Sequence, residues 1–554
     1  MQIEEGLFAL PAASSFYALV DALTDKQGSR TLHRVFSFMR KLLRLTATQQ
    51  ERGEVTEGCV VVDTRPSVRG LIRSKTQADD ALSTRLGEPM ESSLWQVWFF
   101  RVAPGRISDG EHLSDNDLLG TVIWRQFSEA SVALPTRQHV FEGVLRIPPI
   151  ADYYHHVHRM FRLRFKARDF VIPAVYFTQQ DGMTTQCAHS ALVTAVNNLA
   201  RANEHPLTPE GINQALGFDH GNAESRFAWY PLEGYGPEER ELASGWAGID
   251  RNMLERILND NGLSCLLRDY RAWRNCDFEN LAYPVIESGF PVLLCFGTER
   301  GCSNHVICLL GHTYNSDSWL SQARQGYHYP LPGLARHQAW LWTPHFLCVD
   351  DNFGPYYCMD RGALKSPLLY DVAPDLRVND VVGIVPGRIT RDPADAEEDA
   401  THWLHALLRT RGAPPDEPAF EWLRRLFEAV GSDTDPPVTR TLLARRCHYR
   451  EHLLNVCDRS GRESVRNACS ELPDLFWITE ISLVDLYTAN RAKLGEVLQA
   501  VDRPEFPEAF LLGRLPGALF KSIDTPPQPF PVNTYIPIYR SVASQAPQVR
   551  PFNW

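Results

Sequence analysis

Apolar and polar positions alternate in short runs between residues 58 and 150. The runs are GCVVVDT, SLWQVWFFRV, LLGTVIW and HVFEGVLRI, and polar loops that contain glycine separate them. Apolar side chains at every second position are typical of a strand with one buried face. Residues 1–50 carry two helical patterns instead. We therefore predict that residues 1–165 form a helical hairpin followed by a mostly β domain.

The middle of the chain combines helical periods with continuous apolar runs. LTPEGINQALG predicts a helix with Thr208 as its N-cap, and GIDRNMLERILNDNGL predicts a second helix that ends at Asn-Gly. ENLAYPVIESGFPVLLCFG predicts a helix, a turn and a buried strand, and HVICLLGH and FLCVDD predict two further buried strands. This pattern indicates a second region over residues 166–390.

A long, aromatic-rich insertion, residues 313–345, interrupts this second region. Connections of this length inside a compact domain are usually functional or disordered, and its aromatic content argues against disorder. Two hypotheses fit equally well. The insertion is either a lid over a cleft or an excursion that packs against a neighbouring domain.

The C-terminal region, residues 391–554, is predicted to be mixed and rich in helix. The acidic stretch VVGIVPGRITRDPADAEEDA suggests a linker at its start, and residues 400–457 have helical patterns. DLFWITEIS predicts a buried strand, and LYTANRAKLGEVL predicts a helix after it. The sequence as a whole therefore predicts an α+β fold in three parts.

Candidate chemistry centres on Cys187, which lies where a helix is predicted to begin. The residues that form the apolar face of this helix are Ala188, Ala191, Leu192, Ala195, Val196 and Leu199. Unpaired N–H groups at a helix N-terminus favour the thiolate, and a nearby imidazolium favours it further. The thiolate is the nucleophilic form of cysteine, so this setting suits covalent catalysis.

The remaining parts of such a site follow in chain order. His305 begins the run HVICLLGH, and a histidine can take the thiol proton and later return it to a leaving group. Asp350 and Asp351 end FLCVDD, and an acid there could hold the imidazole in one tautomer. A glutamine upstream of the cysteine can donate to an oxyanion. Each residue alone has an ordinary structural role, but their combination favours a nucleophile site.

On these residues the chain resembles the papain-like cysteine peptidases. It is most similar to the bacterial peptidases that process bacteriocin leaders after a double glycine. The matching features are the QDG segment and the small residues around Cys187, then ENLAYPVIESGFPVLLCFG, HVICLLGH and VDDNFGPY, over roughly residues 170–365. The chain departs from the family in having Cys-Ala-His where Cys-Gly is usual, and in the interval of 118 positions from Cys187 to His305.

The resemblance implies a papain-like catalytic domain within residues 166–390 and a Cys-His-Asp triad. The family's orienting turn carries Asn or Asp followed shortly by an aromatic residue and a glycine. Phe353 and Gly354 fit that frame with Asp351 as the orienting residue, and Asp350 is the reserve. Gln180 is the preferred oxyanion donor, with Gln179 in reserve.

The expected activity is that of a cysteine peptidase or isopeptidase that acts on a protein or peptide through a thioester. Two alternatives remain open. One is another acyl-transfer enzyme of the same fold, such as an acyltransferase, a transglutaminase-like enzyme or a deamidase, because fold alone does not select the acceptor. The other is a non-catalytic interaction module that kept the fold, and the accessory regions could bind a protein partner in either case.

Composition argues against several classes of function and location. A net charge of −11 over 554 residues argues against general nucleic-acid binding. No run of about twenty apolar residues predicts a membrane span, and the N-terminus lacks the pattern of a secretory signal. Twelve cysteines without a CxxC pair, several of them inside apolar runs, favour reduced thiols and a cytoplasmic location.

No cofactor or metal is expected from the spacing of histidines and cysteines. Cys302 and His305 lie three apart, but no second pair stands nearby to complete a zinc site. The triplet His155, His156 and His158 could bind a metal, but a mixed surface element is the better interpretation. His189 is interpreted as a solvated helix residue rather than as part of the site.

Overall fold

The computed structural model contains three seven-stranded sheets with helices packed between and around them. The described residues are 6–10, 58–63, 79–80, 83, 92–102, 104–107, 112–127, 138–148, 153–180, 187–199, 206–217, 249, 251–271, 276–297, 303–314, 335–352, 354–365, 377–387, 389–411, 417, 420–457, 459, 461–530 and 535–539. Strands and helices are numbered in chain order. The chain is therefore an α+β protein.

The first sheet is antiparallel and has the strand order β1-β2-β3-β4-β5-β8-β7. Its strands are β1 (Gly6–Leu10), β2 (Gly58–Asp63), β3 (Ser92–Phe100), β4 (Leu118–Phe127), β5 (Gln138–Arg146), β7 (Arg159–Phe165) and β8 (Arg168–Phe177). Two short 3-10 helices lie at Pro104–Arg106 and Asp115–Asp117. The four alternating runs of the sequence are β2 to β5, which confirms the predicted strands.

The second sheet, which carries His305, has the order β14-β13-β11-β10-β15-β9, with β6 (Tyr153–Tyr154) paired to β11. Its strands are β9 (Leu263–Asp269), β10 (Val292–Gly297), β11 (Ser303–Thr313), β13 (His345–Asp350), β14 (Gly354–Asp360) and β15 (Arg377–Pro386). The helices of this part are α1 (Cys187–Asn197), α2 (Pro209–Ala215), α3 (Arg251–Asp260), α4 (Glu279–Glu287) and α5 (Arg361–Lys365). The predicted helices and strands of this region are confirmed, including the N-cap, where the Thr208 hydroxyl accepts from Gly211 N–H at 2.8 Å.

The third sheet has the order β12-β16-β17-β19-β20-β21-β22. Its strands are β12 (His337–Gln338), β16 (Val438–Arg445), β17 (Leu475–Ser482), β19 (Gly495–Ala500), β20 (Phe510–Leu515), β21 (Ala518–Phe520) and β22 (Gln528–Pro529), and β18 (Ala492–Lys493) pairs separately with β23 (Ile536–Pro537). Its helices are α6 (Pro393–Arg411), α7 (Glu421–Val430), α8 (Arg446–Val456), α9 (Arg462–Ser470) and α10 (Val484–Asn490).

Two hydrophobic cores cover the two faces of the second sheet. Helix α1 packs on β11, and its side chains share a core with Val306, Cys308 and Leu310 and with the strands of the first sheet. Alternate residues of β11, such as Ile307 and Leu309, belong to a second core that also contains α4 and residues of the third sheet. Because successive strand residues face opposite sides, β11 is buried on both faces, which fits its continuous apolar run.

Several expectations for the flanking regions need correction. The predicted linker is structured, because β15 runs to Pro386 and PADAEEDA forms the start of α6. Residues 438–445 form a strand, β16, inside a stretch predicted to be helical; their β-branched residues occupy the interior of a sheet. The helix predicted from LYTANRAKLGEVL ends at Asn490, where Arg491 turns into the left-handed region with a φ of 48°, and GEVLQA is β19.

The ends of the predicted parts also differ in detail. Within residues 1–50 the structure describes only β1, which is a strand, and the rest of the predicted helical hairpin lies outside the described residues. The first sheet includes β8 and so extends to Phe177, beyond the boundary predicted at residue 165. In the insertion 313–345, the described part contains β12 and a 3-10 helix, Ala339–Trp342, whose tryptophans are buried. This part contributes to the third sheet, because β12 is its edge strand beside β16, and Trp342 contacts Tyr487 of helix α10.

Candidate active site

Cys187 is the first residue of α1 and is half-buried. From His189 to Asn197 every residue of α1 is buried, so the helix is fixed between the first and second sheets. The helix N-terminus therefore holds the sulfur at one end of the second sheet. Residues 181–186, which lead into the helix, lie outside the described residues.

His305 lies near the start of β11 and has 6% of its surface exposed. Its Nε2 atom donates to Asp350 Oδ2 over 3.2 Å, and Asp351 Oδ1 is 3.8 Å from the same nitrogen. Cys187 also lies close enough to His305 to contribute to the pKa of its imidazole. Because the carboxylates face Nε2, Nδ1 is the ring nitrogen that can serve the sulfur.

The surroundings of His305 favour its charged form. Burial opposes the charge, but hydrogen bonds to Asp350 and Cys187, together with the charges of both aspartates, raise the pKa of His305 well above its usual value. An imidazolium between a thiol and a carboxylate is the arrangement that stabilises a thiolate.

Asp350 is the residue that hydrogen-bonds His305, although the sequence favoured Asp351. Asp350 ends β13, after an irregularity in the pairing of β13 with β14, and its other oxygen accepts from Asn352 N–H at 2.7 Å. Burial, together with the charge of Asp350, raises the pKa of Asp351 to about 7, although His305 opposes that shift. Gly354, with a φ of 86°, completes the turn in a conformation that favours glycine.

The two glutamines upstream of the cysteine have different surroundings. Gln179 continues the first sheet, because its N–H donates to the Val140 carbonyl at 3.0 Å and its Oε1 accepts from Val140 N–H at 3.1 Å. Gln180 is half-buried and lies three residues beyond the end of β8. The pairing of Gln179 with β5 leaves Gln180 as the better candidate for the oxyanion, and that role stays a prediction.

The sequence led to a wrong interpretation of His189 and did not predict that Cys295 lies near the site. His189 is buried, and its Nε2 lies 2.9 Å from Asn213 Oδ1, so the expectation of a solvated residue is wrong. Cys295, on β10, lies close enough to Cys187 for their charges to interact. Burial, then the charges of Asp380 and Cys187, raise the pKa of Cys295, which keeps it a neutral thiol. The apolar run PVLLCFG does not indicate that Cys295 lies near Cys187.

Two clusters in the described part of the chain place metal-ligand atoms within 4.8 Å of one another. One consists of His305, Asp350 and Asp351, and the other of His156, Glu287 and His312. His155 and His156 are buried, so the expectation that the histidine triplet forms a mixed surface element is wrong. Burial, partly opposed by Glu287, lowers the pKa of His156 to about 3, and its ring is therefore neutral at physiological pH.

Comparison with family models, with curated proteins and with solved structures finds no match to this chain. Among the described helices, none has the length and apolar character needed to cross a membrane. The geometry of Cys187, His305 and the two aspartates is therefore the basis on which a function can be proposed.

Proposed function

We propose that the protein is a cysteine peptidase or isopeptidase of papain-like type that acts on a protein or peptide substrate. The observation that carries this proposal is the position of His305, whose Nε2 lies 3.2 Å from Asp350 Oδ2 and whose pKa is also affected by nearby Cys187. A nucleophile, a base within hydrogen-bond reach and a third group that orients the base form the general pattern of nucleophilic catalysis.

The local architecture supports the same class. A buried helix begins at the cysteine, and it packs on an antiparallel sheet whose strands carry the histidine and the acid in that chain order. The two nitrogens of the imidazole ring have different partners. Nε2 faces the carboxylates, and Nδ1 is available to the sulfur. This arrangement suits proton exchange between the thiol and a leaving group.

The reaction follows from these positions. The Cys187 thiolate attacks the substrate carbonyl, a carbon–sulfur bond forms, and the carbonyl electron pair moves to oxygen. When the tetrahedral intermediate collapses, the carbon–nitrogen bond breaks and the leaving amine takes the proton of His305 Nδ1. A water molecule then attacks the thioester while His305 takes a proton from it, and the acid product leaves as the thiolate returns.

Asp350 has an orienting role in this scheme. Its carboxylate accepts a hydrogen bond from the Nε2 N–H, which fixes the ring plane and stabilises the imidazolium while each tetrahedral intermediate exists. Gln180 is proposed to donate to the oxyanion together with the Cys187 N–H. No cofactor takes part in any of these steps.

The proposal is tested by incubating the protein with a defined mixture of peptides and folded proteins in water enriched in oxygen-18, with an added primary amine. Mass spectrometry then separates the outcomes. Hydrolysis puts the heavy oxygen into a new C-terminus, deamidation puts it into a former glutamine side chain, and acyl transfer joins the amine to the acyl group. We expect new C-termini that disappear in Cys187→Ala and persist in the control Cys447→Ala, a change at an exposed cysteine. If the native protein produces none of the three products, the catalytic proposal is wrong and a binding role replaces it.

A further inference from the structure

A second polar cluster is buried outside the candidate active site, where three parts of the chain meet. Its members are His156 between β6 and β7, Glu287 at the end of α4 and His312 near the end of β11. Exposed fractions are 4% for His156, 6% for Glu287 and 2% for His312. Gly311 permits the close approach of these segments, because a Cβ there would overlap the backbone of Tyr154 in β6.

The facing atoms of this cluster are donors suited to a metal ion. The Nε2 atoms of His156 and His312 are 3.2 Å apart, and His312 Nε2 lies 3.1 Å from Glu287 Oε1. His156 Nε2 is 3.8 Å from Glu287 Oε2. A tetrahedral zinc ion with bonds of about 2.0–2.1 Å to two nitrogens would hold them about 3.3–3.4 Å apart. The observed spacing is within a few tenths of an ångström of that value.

The hydrogen bond on the other side of His312 directs its Nε2 atom into the cluster. His312 Nδ1 lies 2.9 Å from the Thr313 carbonyl oxygen, which can only accept, so Nδ1 carries a hydrogen. In the neutral ring the lone pair then lies on Nε2 and faces a carboxylate oxygen and a second imidazole nitrogen. A metal ion between these atoms would accept the lone pairs of both ring nitrogens and pair with the carboxylate. Metal-bound histidines in proteins commonly donate their second N–H to a backbone carbonyl.

Neighbouring side chains fix Glu287 in this position. Tyr283 donates its hydroxyl to Oε1 at 2.8 Å, and Arg440 donates to Oε2 at 2.8 Å. Arg440 also pairs with Glu480 at 2.7 Å, so its charge is shared between two carboxylates. Lys493 and Arg514 complete a network in which the acidic and basic groups already balance. A divalent ion adds charge to this network, and we therefore expect it to be removed by chelators more readily than from a site with thiolate ligands.

We propose that His156, Glu287 and His312 bind a zinc ion that fastens β11 to α4 and to the segment before β7. Two imidazoles and one carboxylate suit Zn²⁺ better than Mg²⁺ or Ca²⁺, which prefer oxygen ligands. Because β11 carries His305 near one end and His312 near the other, the ion would anchor the strand that holds the proposed base. Arg440 lies on β16 and extends the connection to the third sheet.

The first test uses the unmodified full chain. After expression with added zinc and exhaustive dialysis, elemental analysis should find about one zinc per chain. X-ray absorption at the zinc edge should show nitrogen and oxygen neighbours, including imidazole, and no sulfur. Absence of bound zinc would overturn the proposal. A sulfur neighbour would also overturn it, because it would place the ion at Cys187 or another cysteine.

Substitutions then assign the ligands. His156→Gln and His312→Gln should each reduce bound zinc to a small fraction, and a chelator should lower the melting temperature of the native protein but not of either variant. His402→Gln is the matched control, since His402 is an exposed histidine on α6, and it should retain zinc. His305→Gln should retain zinc as well. If His305→Gln loses zinc while His312→Gln retains it, the ion is bound by His305, Asp350 and Asp351 instead, and the proposal is contradicted.

Discussion

The choice between Asp350 and Asp351 as the orienting acid gives the sharpest prediction about the proposed mechanism. Replacing either carboxylate by the isosteric amide, Asp350→Asn or Asp351→Asn, changes charge while it keeps the side-chain volume. Only Asp350 lies at hydrogen-bond distance from His305 Nε2, at 3.2 Å, whereas Asp351 is 3.8 Å away. We therefore expect the larger loss of activity from Asp350→Asn.

The size of the loss follows from the type of bond. A hydrogen bond to a charged group contributes about 1.5–3 kcal/mol, and each 1.36 kcal/mol of transition-state stabilisation changes a rate about tenfold. Asp350→Asn should thus lower kcat/KM about 10- to 150-fold. Asp351→Asn removes an interaction beyond hydrogen-bond distance and should cost less than about tenfold.

The assay is steady-state hydrolysis of the best peptide found in the oxygen-18 experiment, with melting temperatures measured for all three proteins. The melting temperatures separate a loss of folding from a loss of orientation. A greater loss in Asp351→Asn than in Asp350→Asn, with both variants folded, would refute the assignment of Asp350 and restore the one made from the sequence.

Three further predictions follow from the structure. His305→Ala should lower kcat/KM about 10²- to 10⁴-fold with little change in melting temperature, because it removes the base; equal kcat/KM values would exclude His305 from that role. If Gln180 binds the oxyanion, Gln180→Ala should lower kcat about 10²- to 10³-fold without changing stability. Gln179→Ala should instead mainly lower the melting temperature, because it removes the hydrogen bond from the Val140 N–H of β5 to the Gln179 side chain. Burial and, to a smaller extent, the positive charge of Lys493 lower the pKa of His452 to about 3. An unfolded histidine has a pKa near 6.5, so this group's contribution to stability is complete above pH 6.5 and is lost as the pH falls toward 3, by up to about 1.4 kcal/mol per pH unit. Denaturant unfolding of His452→Gln should therefore depend less on pH in that window, and an unchanged dependence would contradict this reasoning.

Local signals in the sequence predicted most of the second sheet and the position of the candidate site. The helix that begins at Cys187 and the strands that carry His305 and Asp350 each have a periodic pattern of their own, and the structure has these elements in the predicted places. The choice between Asp350 and Asp351 could not be made in the same way. The pairing of β13 with β14 is irregular between Cys348 and Asp350, just before the carboxylate that meets His305, and neither composition nor spacing indicates this irregularity.

The errors in the C-terminal region have a common physical origin. The segment VTRTLLAR was predicted to be helical, but it is β16, because tertiary pairing with β17 overrides its weak local preference. The buried cluster of His156, Glu287 and His312 draws on residues from three parts of the chain. The sequence indicated only the triplet that contains His156, since no local pattern predicts which strand end and which helix end will face it.

The reactivity of Cys187 is the most direct test of the proposal that His305 activates this cysteine as a nucleophile. Alkylation by iodoacetamide would be followed at each cysteine by peptide mass spectrometry from pH 5 to pH 9, in the native protein and in His305→Ala. Exposed Cys447 serves as the internal reference. At pH 6 we expect Cys187 to react at least about tenfold faster than Cys447, and we expect this excess to disappear in His305→Ala. Equal rates for the two cysteines, or a Cys187 rate that does not change when His305 is removed, would contradict this proposal.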